Sequence, residues 1–182
     1  MQMNIPNLLT LFRIILVPVT VIFLIKGDFS KALIVFVVAC VTDGLDGFFA
    51  RILKQKTILG SYLDPLADKA LIASSFITLS VLSVIPSWLT VIVISRDFVI
   101  LFGISVLSLM SISFEVRPAF VSKVTTVFQF LTIFFVLAFN DFPGYLNPGV
   151  IKIIYLATAL LTVISGFNYI FRGIKLINGN NI

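Results

Sequence analysis

The sequence has no histidine, a single cysteine and few charges, which make up only 12% of its 182 residues. Without histidine, a His-based catalytic dyad and a His-ligated zinc site are both excluded. Cys40, alone inside an apolar run, leaves no disulfide framework and reads as a small packing residue. The scarcity of charge says most, because a soluble domain carries about 25% charged residues. Here the hydrophobic fraction is 59% and the mean hydropathy +1.16. A soluble chain this short has no interior large enough to hide so much apolar surface, so the remaining solvent is lipid. Acids are scarcer than bases, eight against thirteen, for a net charge of +5. In a membrane protein that balance points to loops facing anionic headgroups. The bases are scattered rather than striped, so nucleic acid is excluded as a partner. The opening MQMNIPN lacks the basic region of a cleaved signal peptide, and the first apolar stretch is expected to be a retained span.

One membrane domain, residues 1–182, is expected. A span needs roughly 20 mostly apolar residues. Six stretches qualify: about Leu8–Ile25, Ala32–Leu53, Leu66–Ser83, Ser87–Ile112, Pro118–Phe139 and Val150–Ile174. Turn formers separate them, namely Gly27-Asp28, Gly60, Pro86, Arg117-Pro118, Pro143-Gly144 and Asn147-Pro148-Gly149. Backbone groups in lipid must be satisfied within their own segment, which predicts an all-α polytopic fold of six transmembrane helices. The polar tail from Asn178 to Ile182 is expected to fray. With the N-terminus inside, nine bases fall on the cytoplasmic side: Arg13, Arg51, Lys54, Lys56, Lys69, Arg117, Lys123, Arg172 and Lys175. Lys26, Lys31 and Lys152 fall outside, and Arg96 sits within a span. The positive-inside rule then places both termini in the cytoplasm, with the connection between spans 2 and 3 at the same face.

Four of the eight acids crowd into that connection: Asp43, Asp46, Asp64 and Asp68. Asp43 and Asp46 are three residues apart, Asp64 and Asp68 four, so each pair shares a helix face. At about 100° per residue, Gly47 and Ala50 flank Asp43. An aspartate at a helix centre in lipid costs about 2.5–3.5 kcal/mol, and four together also repel one another. Pairing with Arg51, Lys54, Lys56 and Lys69 would relieve part of this. A hard divalent cation relieves both problems, since carboxylate oxygens suit Mg²⁺, Ca²⁺ or Mn²⁺. Mg²⁺ commonly completes its shell with substrate phosphates. Small residues beside the acids fit a ligand that approaches the backbone closely.

The spacing Asp-x2-Asp-Gly-x2-Ala-Arg-x8-Gly-x3-Asp-x3-Asp resembles the signature of the CDP-alcohol phosphatidyltransferases, with every position filled: Asp43, Asp46, Gly47, Ala50, Arg51, Gly60, Asp64 and Asp68. The resemblance extends along the chain, since that family has six spans with this motif at spans 2 and 3. It implies that the four aspartates hold two ions, Mg²⁺ or Mn²⁺, and that Asp68 is also the general base. It further implies that Gly47, Ala50, Arg51 and Gly60, with Thr57 in the turn, bind the CDP-lipid. The acceptor hydroxyl would attack the lipid-side phosphorus, and CMP would leave. A homodimer and a site facing the cytoplasm are implied as well.

The segment from Asn4 to Arg13 resembles the N-terminus of the bacterial CDP-diacylglycerol–glycerol-3-phosphate 3-phosphatidyltransferases, which live in the inner (plasma) membrane. Asn7 and Thr10 there are candidates for nucleotide contact, although a polar start with Pro6 also suits helix capping. Ser95-Arg96-Asp97 resembles an Ala-Arg-Glu of that group, and Ser122-Lys123-Val124-Thr125-Thr126 with Gln129 resembles its Gly-Lys-Val-Lys-Thr with a downstream Gln. Such an acceptor carries a phosphate and calls for cations. Arg96, Arg117 and Lys123 are the candidates, Arg being able to grip phosphate through two donors. Against this stand an ion pair for Arg96 and headgroup contact for the other two. Asp97, about 100° from Arg96 on a helix, is expected to serve another group. The expected partners are therefore CDP-diacylglycerol, glycerol 3-phosphate and membrane lipids. Inositol phosphate, serine or phosphatidylglycerol would be alternative acceptors for the same chemistry. A small cation transporter is the alternative of another class, but it needs no Gly47, Ala50 and Arg51 at fixed offsets, and its ion site sits near the midplane.

Overall fold

The computed structural model describes residues 5–52, 58–109, 120–141 and 148–179, with side chains over 8–45, 66–105, 120–141 and 149–175. These residues form six helices: α1 (Ile5–Ile25), α2 (Phe29–Ile52), α3 (Ile58–Val81), α4 (Ser87–Leu109), α5 (Phe120–Asp141) and α6 (Pro148–Gly179). No strand occurs among the described residues. Among the described residues four segments are long and apolar enough to cross a membrane: Leu8–Ile25, Ser87–Ser105, Phe120–Asp141 and Gly149–Lys175. The four signature acids lie on α2 and α3. The protein is a membrane-embedded helical protein, and its surface agrees. Phe98, Phe102, Leu156, Leu160 and Phe171 are all exposed, while Thr125, Gln129, Thr158 and Thr162 are buried. Apolar outside and polar inside is the distribution that lipid selects.

The turns follow local chemistry. After α1, Gly27 adopts φ +71°, which only glycine reaches without a Cβ penalty. The Gly27 amide donates to the Leu24 carbonyl at 3.0 Å and the Asp28 amide to the Phe23 carbonyl at 3.0 Å, a Schellman cap. The Asp28 carbonyl then accepts the Ala32 amide at 3.0 Å and so starts α2. After α3, Ser83 takes the equivalent left-handed position with φ 58°, and its neighbour Val84 donates to the Leu79 carbonyl at 2.9 Å. Pro18 lies inside α1, unremarked by its apolar pattern.

Three boundaries differ from expectation. The third helix begins at Ile58 rather than near Leu66, so Gly60 is helical and not a turn, and Asp64 and Asp68 lie within α3 rather than at its opening. A lone glycine in a helical pattern costs about 1 kcal/mol, too little by itself to stop a helix of this length. Asn7 lies within α1, so it does not cap that helix from outside. The last helix continues through Asn178 to Gly179, further than the polar tail implied.

The chain divides into two units, residues 1–85 with 133–146, and residues 86–132 with 147–182. In the first, α1 packs on both α2 and α3. Its core holds Leu16, Leu24, Ala32, Phe36, Ala39, Ala67, Leu71, Ile72, Phe76 and Leu79. The alanines allow close helix approach. Ser30 donates a hydrogen bond to Asp141, linking the start of α2 to the end of α5. In the second unit α4 packs on α6. There Thr132 and Thr158 share a hydrogen bond of 2.7 Å, and Thr125 donates to the Leu161 carbonyl at 3.1 Å. These bonds tie the first part of α5 to α6 through polar groups that lipid would leave unsatisfied.

Candidate active site

On α1, the buried positions Thr10, Arg13, Leu16, Thr20 and Leu24 recur at three- and four-residue steps and form one stripe. On α2, Ala32, Phe36 and Ala39 form a similar stripe that leads to Asp43. On α3, Asp68 continues the line of Ile72, Ser75 and Leu79. Because α1 packs on both other helices, the polar members of the three stripes meet. Arg13 Nη1 lies 3.0 Å from Asp43 Oδ1 and 2.8 Å from Asp68 Oδ1. The Arg13 side chain is fully buried, whereas those of Asp43 and Asp68 keep 41% and 27% of their exposure. A guanidinium does not lose its proton, so this charge is permanent and its burial requires the acids beside it.

Two of the four predicted aspartates are thereby brought together on one cation. Asp46 lies three residues beyond Asp43 in α2, and Asp64 four residues before Asp68 in α3, as the shared-face reading requires. The side chains of Asp46 and Asp64 lie outside the described ones, as do those of Asn7, Gly47, Ala50, Arg51 and Gly60, although all seven belong to helices. Thr57 and Arg117 lie outside the described residues altogether. Thr10 is buried one turn before Arg13. Among the described residues no three acids gather into a metal-binding group. The pair that is described nevertheless suits a divalent ion: two hard oxygen donors, from two helices, already converge on a single positive atom. An alanine Cβ at Gly44, beside Asp43, would meet no atom within 4 Å, so the backbone there is open on that side.

Arg13 is the residue that the sequence reading missed. By the positive-inside rule it is only one of nine bases on the cytoplasmic side, yet it is a buried counter-charge inside α1. A charge within an apolar run calls for a partner, but the sequence does not say which acid supplies it; the packing of α1 on α2 and α3 does.

The second unit holds the other predicted cation. Arg96 sits near the middle of α4 and is 7% exposed. Its Nη1 donates to Asp97 Oδ1 at 2.6 Å, its Nη2 to Ser165 Oγ at 2.9 Å and also to Ser122 Oγ. Asp97 therefore pairs with Arg96 itself and not with another group, because the long arginine side chain reaches across the 100° between them. Arg96 also lines a cleft of about 260 Å³ between α4 and α6, with Val91, Val99, Thr162, Gly166 and Phe167. Lys123, one residue past Ser122 on α5, is exposed.

Residues 3–165 match the family model described as CDP-alcohol phosphatidyltransferase. The chain belongs to that family. A protein of Mycobacterium tuberculosis named probable phosphatidylglycerophosphate synthase is 38% identical over 97% of this chain and 84% of its own length. The CDP-diacylglycerol–glycerol-3-phosphate 3-phosphatidyltransferase of Bacillus subtilis is 30% identical over 98% of this chain and 99% of its own length. A rat protein named cardiolipin synthase (CMP-forming) is 36% identical over 96% of this chain but only 63% of its own length. A transporter reading finds no support in this company.

Proposed function

We propose that this membrane protein transfers the phosphatidyl group of CDP-diacylglycerol to glycerol 3-phosphate, giving phosphatidylglycerophosphate and CMP. The observation that carries the reading is the convergence of Asp43 and Asp68 on one cation position, within a chain that keeps all eight residues of the family signature. The names of the M. tuberculosis and B. subtilis relatives support glycerol 3-phosphate as the acceptor.

Asp43, Asp46, Asp64 and Asp68 would hold two Mg²⁺ or Mn²⁺ ions. When bound, such ions supply the positive charge that steadies the leaving and attacking oxygens of an in-line displacement. The chain's own groups do the rest. Asp68 takes the proton from the acceptor hydroxyl as its oxygen bonds to the lipid-side phosphorus and the bond to CMP breaks. Gly47, Ala50, Arg51, Thr57 and Gly60, with Asn7 and Thr10, bind the cytidine diphosphate end of the donor. Arg96, Arg117 and Lys123 hold the acceptor's phosphate; Arg96 is held by Asp97, Ser122 and Ser165 in the structure, the ion pair set against this role, and would have to exchange Asp97 for the phosphate. The polypeptide crosses the inner (plasma) membrane six times with both termini and the active site on the cytoplasmic side, and it works as a homodimer.

The test is CMP release from CDP-diacylglycerol with glycerol 3-phosphate, inositol phosphate, serine and phosphatidylglycerol offered in parallel. Glycerol 3-phosphate should be used best by a wide margin. Preference for phosphatidylglycerol would move the chain to the chemistry that the rat relative's name describes, and no CMP release with any alcohol would end the reading.

A further inference from the structure

We infer that Arg13 is a positioning residue that serves as the resident counter-cation of the acidic site: it occupies the place between Asp43 and Asp68 when no divalent ion is there, and competes with the ion for the same two oxygens. The inference rests on the reading of Asp43 and Asp68 as ion-holding groups.

Three observations carry it. Arg13 comes from α1, outside the α2–α3 signature, yet one of its nitrogens reaches both acids, at 3.0 Å and 2.8 Å. Its side chain is wholly buried, and its charge cannot be discarded by losing a proton. The atoms it contacts are carboxylate oxygens, which are also the donors that a hard divalent ion would take. A guanidinium and a divalent ion drawn to the same oxygens repel each other strongly at such a separation, so one weakens the other. Without a positive group between them, the Asp43 and Asp68 carboxylates would repel each other. With Arg13 in place, the site is already shaped for a cation, and ion binding becomes an exchange of one positive charge for another.

The consequence is a coupling between Arg13 and ion affinity, read without turnover. Wild-type protein and the Arg13→Gln variant, purified in detergent without substrate, are titrated with Mn²⁺, and free ion is followed by its electron paramagnetic resonance signal. Arg13→Gln should bind Mn²⁺ more tightly, roughly tenfold, within the usual range of coupling between ligands. Melting curves in chelator and in Mn²⁺ give a second readout. The variant should melt well below wild type in chelator and recover most of the difference in Mn²⁺. A variant that folds only when Mn²⁺ is present would support the inference in the same way. Equal or weaker Mn²⁺ affinity in the variant, or loss of folding with and without Mn²⁺, would overturn it. Should wild-type protein itself bind no Mn²⁺, the ion-holding role of Asp43 and Asp68 fails first, and the inference falls with it.

Discussion

Replacing Asp68 with Asn separates the chemical role of this side chain from its structural one. Asn is nearly the same shape and can still accept a hydrogen bond from Arg13 Nη1, now 2.8 Å from the Asp68 carboxylate. Asp43 keeps its own contact with Arg13 at 3.0 Å. The guanidinium therefore retains a charged partner, and the cost in stability should be about 1–2 kcal/mol, the scale of one weakened charge-assisted hydrogen bond. That lies well below the roughly 3–5 kcal/mol of an ion pair broken outright. The 27% exposure left to the Asp68 side chain lowers the cost further through solvent screening. Loss of a general base removes on the order of 10²–10⁴ in rate, and loss of a metal ligand adds to that. At about 1.4 kcal/mol per tenfold, the transition state loses some 3–5 kcal/mol or more. The assay is CMP release alongside a melting curve on the same preparation. Asp68→Asn should be folded, melting only a few degrees lower, and almost inactive. Turnover within a few-fold of wild type would refute the base assignment, and a collapse of folding would refute the estimate of how Arg13 is held.

Other outcomes follow from the same geometry. Lys123 is exposed at the start of α5, so Lys123→Ala should leave stability within about 0.5 kcal/mol while raising KM for glycerol 3-phosphate more than KM for the CDP-lipid; equal changes would argue against a contact with the acceptor's phosphate. Arg96→Met leaves the half-buried Asp97 without the guanidinium now 2.6 Å away, and thermal unfolding should show a loss of about 2–3 kcal/mol. Ser83→Gly relieves a left-handed residue at φ 58° and should stabilise the protein by about 0.5–1 kcal/mol in the same assay, with activity unchanged.

Much of the fold could be read from the residues, and the exceptions have physical causes. Apolar runs fixed the helices because lipid leaves the backbone no other way to satisfy its groups, and Gly27-Asp28 marked its turn through the one residue that enters φ > 0 freely. Gly60 misled because glycine's modest penalty inside a helix is easily outweighed by the rest of a 24-residue helix. An ion pair for Arg96 is among the readings the sequence offers, but that Asp97 supplies it is hidden, because backbone direction says little about where four flexible bonds deliver a guanidinium. In the site, the spacing of the acids predicted that Asp43 and Asp68 serve one purpose from two helices. The contribution of Arg13 was out of reach of local pattern, since its partners lie 30 and 55 residues away along the chain. Only the packing of α1 on α2 and α3 reveals it.

The central claim is that acids on α2 and α3 work through divalent ions, and removing those ions is the most direct test of it. With CDP-diacylglycerol and glycerol 3-phosphate both present, excess chelator should stop CMP release, and added Mg²⁺ or Mn²⁺ should bring it back. CMP release that continues at its full rate in chelator would contradict the account.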